Sequence, residues 1–387
     1  MKNKLRVALL PLALLPLLIA SIFVAHAQTA ENSGYETAQP GYRYQFPRDH
    51  FDHPNYQTEW WYYTGNLKST DGHRFGFELT FFRQGIWHDA RSDTKSDKKR
   101  DTENDAWRIR DLYLAHLAVT DVSGHKFYYD ERINRAGPGI AGISQENGLI
   151  WNGNWQAKLS AENHQLRAVN ENMALQLILV SNKPPVIHGH GGISQKAAGI
   201  GHASHYISFT RMLTSGSLEL NGTTYQVQGT SWMDHEFFTN SMDTNETGWD
   251  WLSLQLNDDT ELMLYRLRHK NGSVDLYSSG TYVDANGKTI FLSSKNFTMT
   301  PSGESWTSGR TRGIYPVHWS VSIPSLDIHL EVRTPLTNQE LVSVIGPSYW
   351  EGVIDITGQR AGSPLQGVGY LEMTGYSATT TPFTPGP

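Results

Sequence analysis

The chain contains no cysteine. Disulfides are therefore excluded, and so is membrane attachment through a lipidated cysteine. A chain exported without disulfides relies on its core, and a mature length of roughly 360 residues is enough to build one. An excess of positive charge is also missing. With 32 Lys and Arg against 38 Asp and Glu, the formal net charge is −6, a balance that does not favour a nucleic-acid partner. No stretch carries a convincing amphipathic-helix period. There is no Gly-x-Ser-x-Gly elbow, no Walker loop, no Gly-x-Gly-x-x-Gly opening a helix and no His-Glu-x-x-His. A serine hydrolase has no support from motifs, and neither a metal nor another cofactor is expected. His188, His190, His202 and His205 are close in sequence, but their flanks are Gly-rich and no acidic residue accompanies them.

One long apolar run exists, from Val7 to Val24, after Met-Lys-Asn-Lys-Leu-Arg and before Ala25-His26-Ala27. A basic start, an apolar middle and an Ala-x-Ala end read as a secretory signal peptide over 1–27. Pro11, Pro16 and the cleavage site favour removal over a retained anchor. No second run is long enough to cross a bilayer. The expected location is periplasmic or secreted, with no stable membrane span after cleavage.

What the chain does have is aromatic residues and period-two alternation. Gln57 to Leu67 holds Trp60, Trp61, Tyr62 and Tyr63. Arg74 to Arg83 alternates, with Phe75, Phe77, Leu79 and Phe81 on one face, the signature of a strand. Further strands are expected over 111–120, 149–159, 173–180, 315–323 and 326–332. Val186 to Gly201 reads as a Gly-rich loop, and Asp89 to Asp105 as a charged, mobile insertion. Glu59–Leu67 aligns in outline with Gly248–Leu256, a weak internal repeat. The fold class is all-β, two tandem barrel domains packed together. The expected division is a flexible lead-in over 28–45, domains over 46–215 and 216–376, and a loose tail over 377–387.

The densest chemistry lies in Gly199–Phe238. On a strand, Trp232, Asp234 and Glu236 share one face, and Met233, His235 and Phe237 the other. Two carboxylates beside an aromatic, turned into a barrel, make an acid/base site, because burial keeps a carboxyl protonated at neutral pH. The bland alternative is that both pair with arginines and only hold the domains together. Antiparallel pairing with the preceding strand would bring His205 within reach of Asp234 as a proton-transfer couple, although a core histidine bonded to backbone is the commoner case. Trp60, Trp61 and Tyr63, with Trp232 and with Trp249 of the second half, are candidate walls of a ligand cavity; core packing is the alternative.

These residues carry a resemblance. Pro54–Tyr62, Ser204–Arg211, Gly229–Glu236, Tyr349–Gly352 and Gly367–Tyr376 together are similar to the AttH/carotenoid 1,2-hydratase superfamily, across nearly the whole mature chain. The resemblance implies two lipocalin-like β domains. It places the acid at Asp234 and its partner at His205. The hydratase branch has His-x-Trp and Tyr-x-Asp elements; here Ile207 and Trp232 stand at the two aromatic positions, a form closer to the secreted AttH-like branch. The implied chemistry needs no cofactor. Asp234 protonates an apolar, lipid- or isoprenoid-like small molecule, aromatic faces hold the cation, and water oriented by His205 or Glu236 captures it. Hydrolysis by a carboxylate-activated water would use the same groups. The rival readings are a non-catalytic periplasmic carrier and a scaffold whose barrels are filled by their own side chains. The sequence carries no signal for oligomeric state.

Overall fold

The structure, a computed structural model, describes residues 34–88, 109–137, 139–161, 163–239, 243 and 245–377. The expected signal peptide, the charged segment 89–105, residues 28–33 and residues 378–387 of the tail lie outside the described residues. No α-helix occurs among those described, and two short 3-10 turns, Arg48–His50 and Pro324–Leu326, are the helical elements. The strands form two large sheets. The first, of thirteen strands, curls into a nearly closed barrel; the second, of ten, into a half barrel. This is the all-β, doubled lipocalin-like architecture.

Two long strands, Ala203–Leu220 and Thr223–Phe238, form the spine of the first sheet. They meet at Asn221-Gly222, whose φ values are 49° and 79°. Two successive positive φ angles make the primed turn whose twist suits a tight hairpin, and Asn-Gly is its preferred sequence. Thr58–Ser69 pairs antiparallel with Thr223–Phe238 on one side and with Arg74–Gly85 on the other. In the second sheet Glu246–Leu256 lies between Glu261–His269 and Ser363–Met373. The two aromatic strands of the weak repeat thus hold equivalent places, each between its following hairpin strand and a long strand from later in the chain.

Three expectations are corrected. The chain changes sheet between Phe238 and Glu246, not at 215/216, because the hairpin turn sits at 221–222 and both its strands belong to the first sheet. The expected strand over 149–159 is two strands, Leu149–Asn152 and Trp155–Leu159, turning at Gly153 with φ of 63°. Residues 34–45 are not a loose lead-in: Ala38, Tyr42 and Tyr44 pack with Tyr56, Ile193 and Phe237.

Alternation decides the layers. Trp61, Tyr63, Phe75, Phe77, Leu79, Phe81 and Met233 point into the first barrel and fill it with Trp155, Leu177 and their neighbours. A second core, around Trp319, Trp350, Leu264 and Ile356, fills the half barrel. The opposite faces of the same strands meet between the sheets, where Tyr62, Tyr206, Trp232, Trp251, Tyr265 and Tyr370 form a third cluster. Arg211 and Lys183 reach across this junction to the fully buried Glu261, at 2.6 and 2.9 Å.

Glu59 is the brace of the first barrel. Burial would raise its carboxyl, but His53, His235 and Arg83 outweigh burial and hold it well below the usual range. Its oxygens accept from His53 Nδ1 (2.7 Å), the His53 backbone N–H (2.9 Å), His235 Nε2 (2.8 Å) and Arg83 Nε (3.2 Å). Breaking a buried ion pair by removing one partner costs about 3–5 kcal/mol. Arg83→Met is therefore expected to lower stability by about that amount in urea denaturation, and a loss under about 1 kcal/mol would remove Glu59 from this role.

Candidate active site at the sheet junction

The barrel interiors are filled, so the open space lies elsewhere. A cavity of about 120 Å³ sits between the two sheets. That volume takes several waters or a small ring system. Its first wall comes from the outer faces of Thr58–Ser69, Arg74–Gly85 and Thr223–Phe238, through Trp60, Tyr62, Glu78, Phe82, Asp234 and Glu236. The facing wall comes from the second sheet, through Trp249, Trp251, Tyr265, Tyr349 and Glu372. Tyr206 and Lys196 also line it.

Asp234 is the best-held carboxyl in this cavity. Ser208 Oγ and Trp232 Nε1 donate to its Oδ1, and Tyr206 Oη donates to its Oδ2. The second sheet joins in, because Trp251 Nε1 donates to Tyr206 Oη at 3.0 Å. Burial pushes Asp234 up to about 7, against the pull of those three donors, with Glu236 adding to the rise. No arginine pairs with it among the described residues. Glu236 lies 3.2 Å from Lys196 Nζ and accepts from Ser204. Burial works against the Lys196 charge, but Glu236, Tyr265 and Asp234 together outweigh it and raise the ammonium's pKa. That ammonium also lies 4.0 Å from the Tyr265 ring centroid.

Two more carboxyls face the same space. Burial raises Glu372 to about 8 although Trp249 Nε1 donates to it at 2.9 Å, and Glu78, Asp234 and Glu236 add to the rise. Burial raises Glu78 to about 7. Its Oε1 accepts from Thr80 (2.8 Å) and Tyr349 (3.1 Å), while its Oε2 has no partner. Tyr349 Oη is also 2.6 Å from His116 Nδ1, and burial pushes His116 down to about 4. At neutral pH the cavity therefore holds carboxyls near their midpoints among aromatic faces.

The structure separates the residues singled out from sequence. Asp234, Glu236, Trp60 and Trp249 line the cavity, and Trp232 bonds Asp234. Trp61 and Tyr63 do not reach it. They point into the first barrel, where Trp61 stacks on His235 and Tyr63 bonds His164. His205 is also on the wrong face. It lies opposite Phe237, within 3.5 Å of Tyr44 Oη and 3.2 Å of Tyr56 Oη. The reason is a β-bulge between Phe209 and Met212. From the Asn221-Gly222 turn an unbroken hairpin would set Phe209 opposite Asp234, with His205 on that same face. The extra residue of the bulge shifts the register by one and exchanges the faces. Ser208 then lies opposite Asp234, and Tyr206 opposite Glu236.

One grouping among the described residues has metal-ligand spacing, His53, Glu59 and His235. Both Glu59 oxygens are already engaged and Arg83 sits on one of them, so it reads as an ion-paired brace.

Residues 37–376 match the AttH-like family. The chain belongs to that family. A solved structure assigned as AttH, from Nitrosomonas europaea, is 30% identical to this AttH-like protein, with a TM-score of 0.77 over 88% of this chain and 99% of the other. Kievitone hydratase from Nectria haematococca shares the fold, with a TM-score of 0.66 at 14% identity over 90% and 98% of the two chains. The dehydratase asqC of Emericella nidulans is 23% identical over 282 residues, 68% of this chain and 77% of that protein.

Sequence reasoning missed Tyr206, Lys196, Glu78, Tyr349 and Glu372 in the cavity, and Ser208 behind Asp234. Glu78 and Glu372 had a legible signal, each being the one acid of its strand and flanked by apolar residues. Lys196 had none, since it comes from the Gly-rich segment before Ala203, which carries the short strands Val186–Ile187 and Ser194–Gln195. The raised carboxyl at Asp234 has a consequence for stability. An unfolded aspartate titrates near pH 4 and the folded one at about 7. The folded state binds the proton more tightly, so this contribution is full below about pH 4 and is lost as pH rises through about 7. The melting temperature of the wild type relative to Asp234→Asn is expected to fall by several degrees from about pH 5 to about pH 8.5. Parallel curves would contradict a raised Asp234.

Proposed function

We propose that this protein adds water to, or removes it from, a carbon–carbon double bond of an apolar, uncharged small molecule, without a cofactor. The observation that carries the reading is Asp234, a carboxyl poised near neutrality, held by three donors and facing aromatic walls. In the hydration direction Asp234 gives its proton to one alkene carbon, and the other carbon becomes cationic. Trp60, Trp249 and Trp251 present ring faces and edges to that charge; a desolvated cation over a ring gains about 2 kcal/mol. Water bonds to the cationic carbon, and its surplus proton passes to the free oxygen of Glu78. The proton then returns from Glu78 to Asp234 through water, so both carboxyls are restored. The sum is one water added across the double bond, and dehydration is the reverse. His205 has no part, because it faces away from the cavity. Kievitone hydratase, which shares the fold, and the dehydratase asqC, which is similar in sequence, belong to this reaction class and support the reading. The carrier reading calls for a wholly apolar cavity, and four carboxyls line this one. We further propose that the chain is exported and works in the periplasm or outside the cell, on the strength of the 1–27 segment.

A positioned general acid contributes about 10²–10⁴-fold. Native mass spectrometry and extraction of freshly purified protein test the reading. The wild type is expected to carry a compound together with its counterpart one water heavier or lighter. Asp234→Asn, still folded, is expected to carry one of the two alone and to interconvert them about 10²–10⁴-fold more slowly. Interconversion at the wild-type rate by Asp234→Asn would remove Asp234 from the mechanism.

A further inference from the structure

Behind Asp234, away from the cavity, a hydrogen-bonded chain runs into the second sheet. Ser208 Oγ, which donates to Asp234 Oδ1, is 2.7 Å from His188 Nε2. His188 Nδ1 is 2.8 Å from Thr281 Oγ1. All four side chains are buried, at 4% exposure or less. His188 belongs to Val186–Ile187 and its extension, which pair with Ala203–Leu220, and its backbone N–H donates to Tyr206 O at 2.9 Å. Thr281 belongs to Ser279–Val283 of the second sheet. The chain therefore spans the junction.

Counting protons assigns the roles. Ser208 has one hydroxyl hydrogen. When Asp234 is ionised, that hydrogen points at Oδ1, so the Ser208 oxygen is free only to accept. His188 must then carry its hydrogen on Nε2 and donate it to Ser208. Its Nδ1 is left bare and accepts from the Thr281 hydroxyl. Three donors in line thus end on the Asp234 anion. The titratable and charged groups facing this chain are Tyr206, whose ring centroid is 4.4 Å from that of His188, and Lys196, Glu236 and Glu372. Burial, with Lys196, pushes His188 down to about 3, so the imidazole is neutral over the working range.

We propose that His188 is a positioning residue for Asp234: by aiming the Ser208 hydroxyl at the carboxylate and anchoring on Thr281, it sets how tightly Asp234 holds its proton, and does so only when the two sheets are docked. The proposal rests on the reading of Asp234 as the acid, but it concerns the proton affinity of that carboxyl and is tested without turnover.

The experiment follows the Asp234 carboxyl by NMR of the full chain labelled with ¹³C at aspartate side-chain carboxyls, with Asp234→Asn supplying the assignment. Loss of the aimed hydroxyl removes stabilisation from the anion. His188→Leu and Ser208→Ala are each expected to raise the Asp234 midpoint by about one pH unit, a tenfold tighter hold. The double variant is expected to add nothing further, since both changes remove one interaction. His188→Gln, whose amide can still donate to Ser208, is expected to stay near the wild type. A residue that merely fills space would lower the melting temperature without moving the midpoint. Unchanged midpoints in folded His188→Leu and Ser208→Ala, or shifts that sum in the double variant, would overturn the proposal. Should His188→Leu not fold, Thr281→Val carries the test, with a rise expected and an unchanged midpoint contradicting it. A midpoint that moves while Asp234→Asn keeps full turnover would leave this inference standing and the acid role lost. The opposite pattern would do the reverse.

Discussion

Exclusion of water from carboxyl groups between two packed sheets is the constraint on which the rest depends. Taking a carboxylate out of water costs several kcal/mol, and the molecule meets that cost in two ways. Glu59 is held ionised, and both it and Glu261 are paired with histidines, arginine or lysine; they brace the first barrel and the junction. Asp234, Glu78 and Glu372 meet hydroxyls, indoles and aromatic faces instead, and burial lifts them to about 7, 7 and 8. The first set holds the fold. The second set is left close to its protonation midpoint, which is the condition for moving protons at neutral pH.

The position of the cavity follows from side-chain alternation. Each strand of the junction presents one face to a barrel core and the other to the neighbouring sheet. Trp61 and Tyr63 fill a barrel while Trp60 and Tyr62, one residue away, face the cavity or the junction cluster. A scaffold with filled barrels and a site for chemistry are therefore compatible in one molecule. The site is made jointly: Trp251 and Glu372 come from the second sheet, Asp234 and Tyr206 from the first. The AttH-like match across residues 37–376 covers both halves, in keeping with a site that neither half makes alone.

Period two was legible in the residues, and it placed Asp234 and Glu236 on one face and His235 on the other. Register was not. One extra residue between Phe209 and Met212 carries His205 away from Asp234 and brings Tyr206 and Ser208 in their place. No composition signal marks that bulge, because Thr210-Arg211 is ordinary strand sequence. The domain boundary was misplaced for a related reason: Asn221-Gly222 is a turn within a hairpin, and Gly216 lies inside a strand. Contacts between the sheets, such as Lys196 on Glu236 or His188 on Thr281, depend on how two distant segments dock. Local pattern does not encode that.

The central claim is that Asp234 is a neutral acid inside this cavity under working conditions. Infrared difference spectra between the wild type and Asp234→Asn address it without knowledge of the substrate. At about pH 6 the difference is expected to contain the carbonyl stretch of a protonated, buried carboxylic acid, and that band is expected to give way to carboxylate bands by about pH 9. Carboxylate bands alone at about pH 6 would contradict the account, because an aspartate already ionised there has no proton to give.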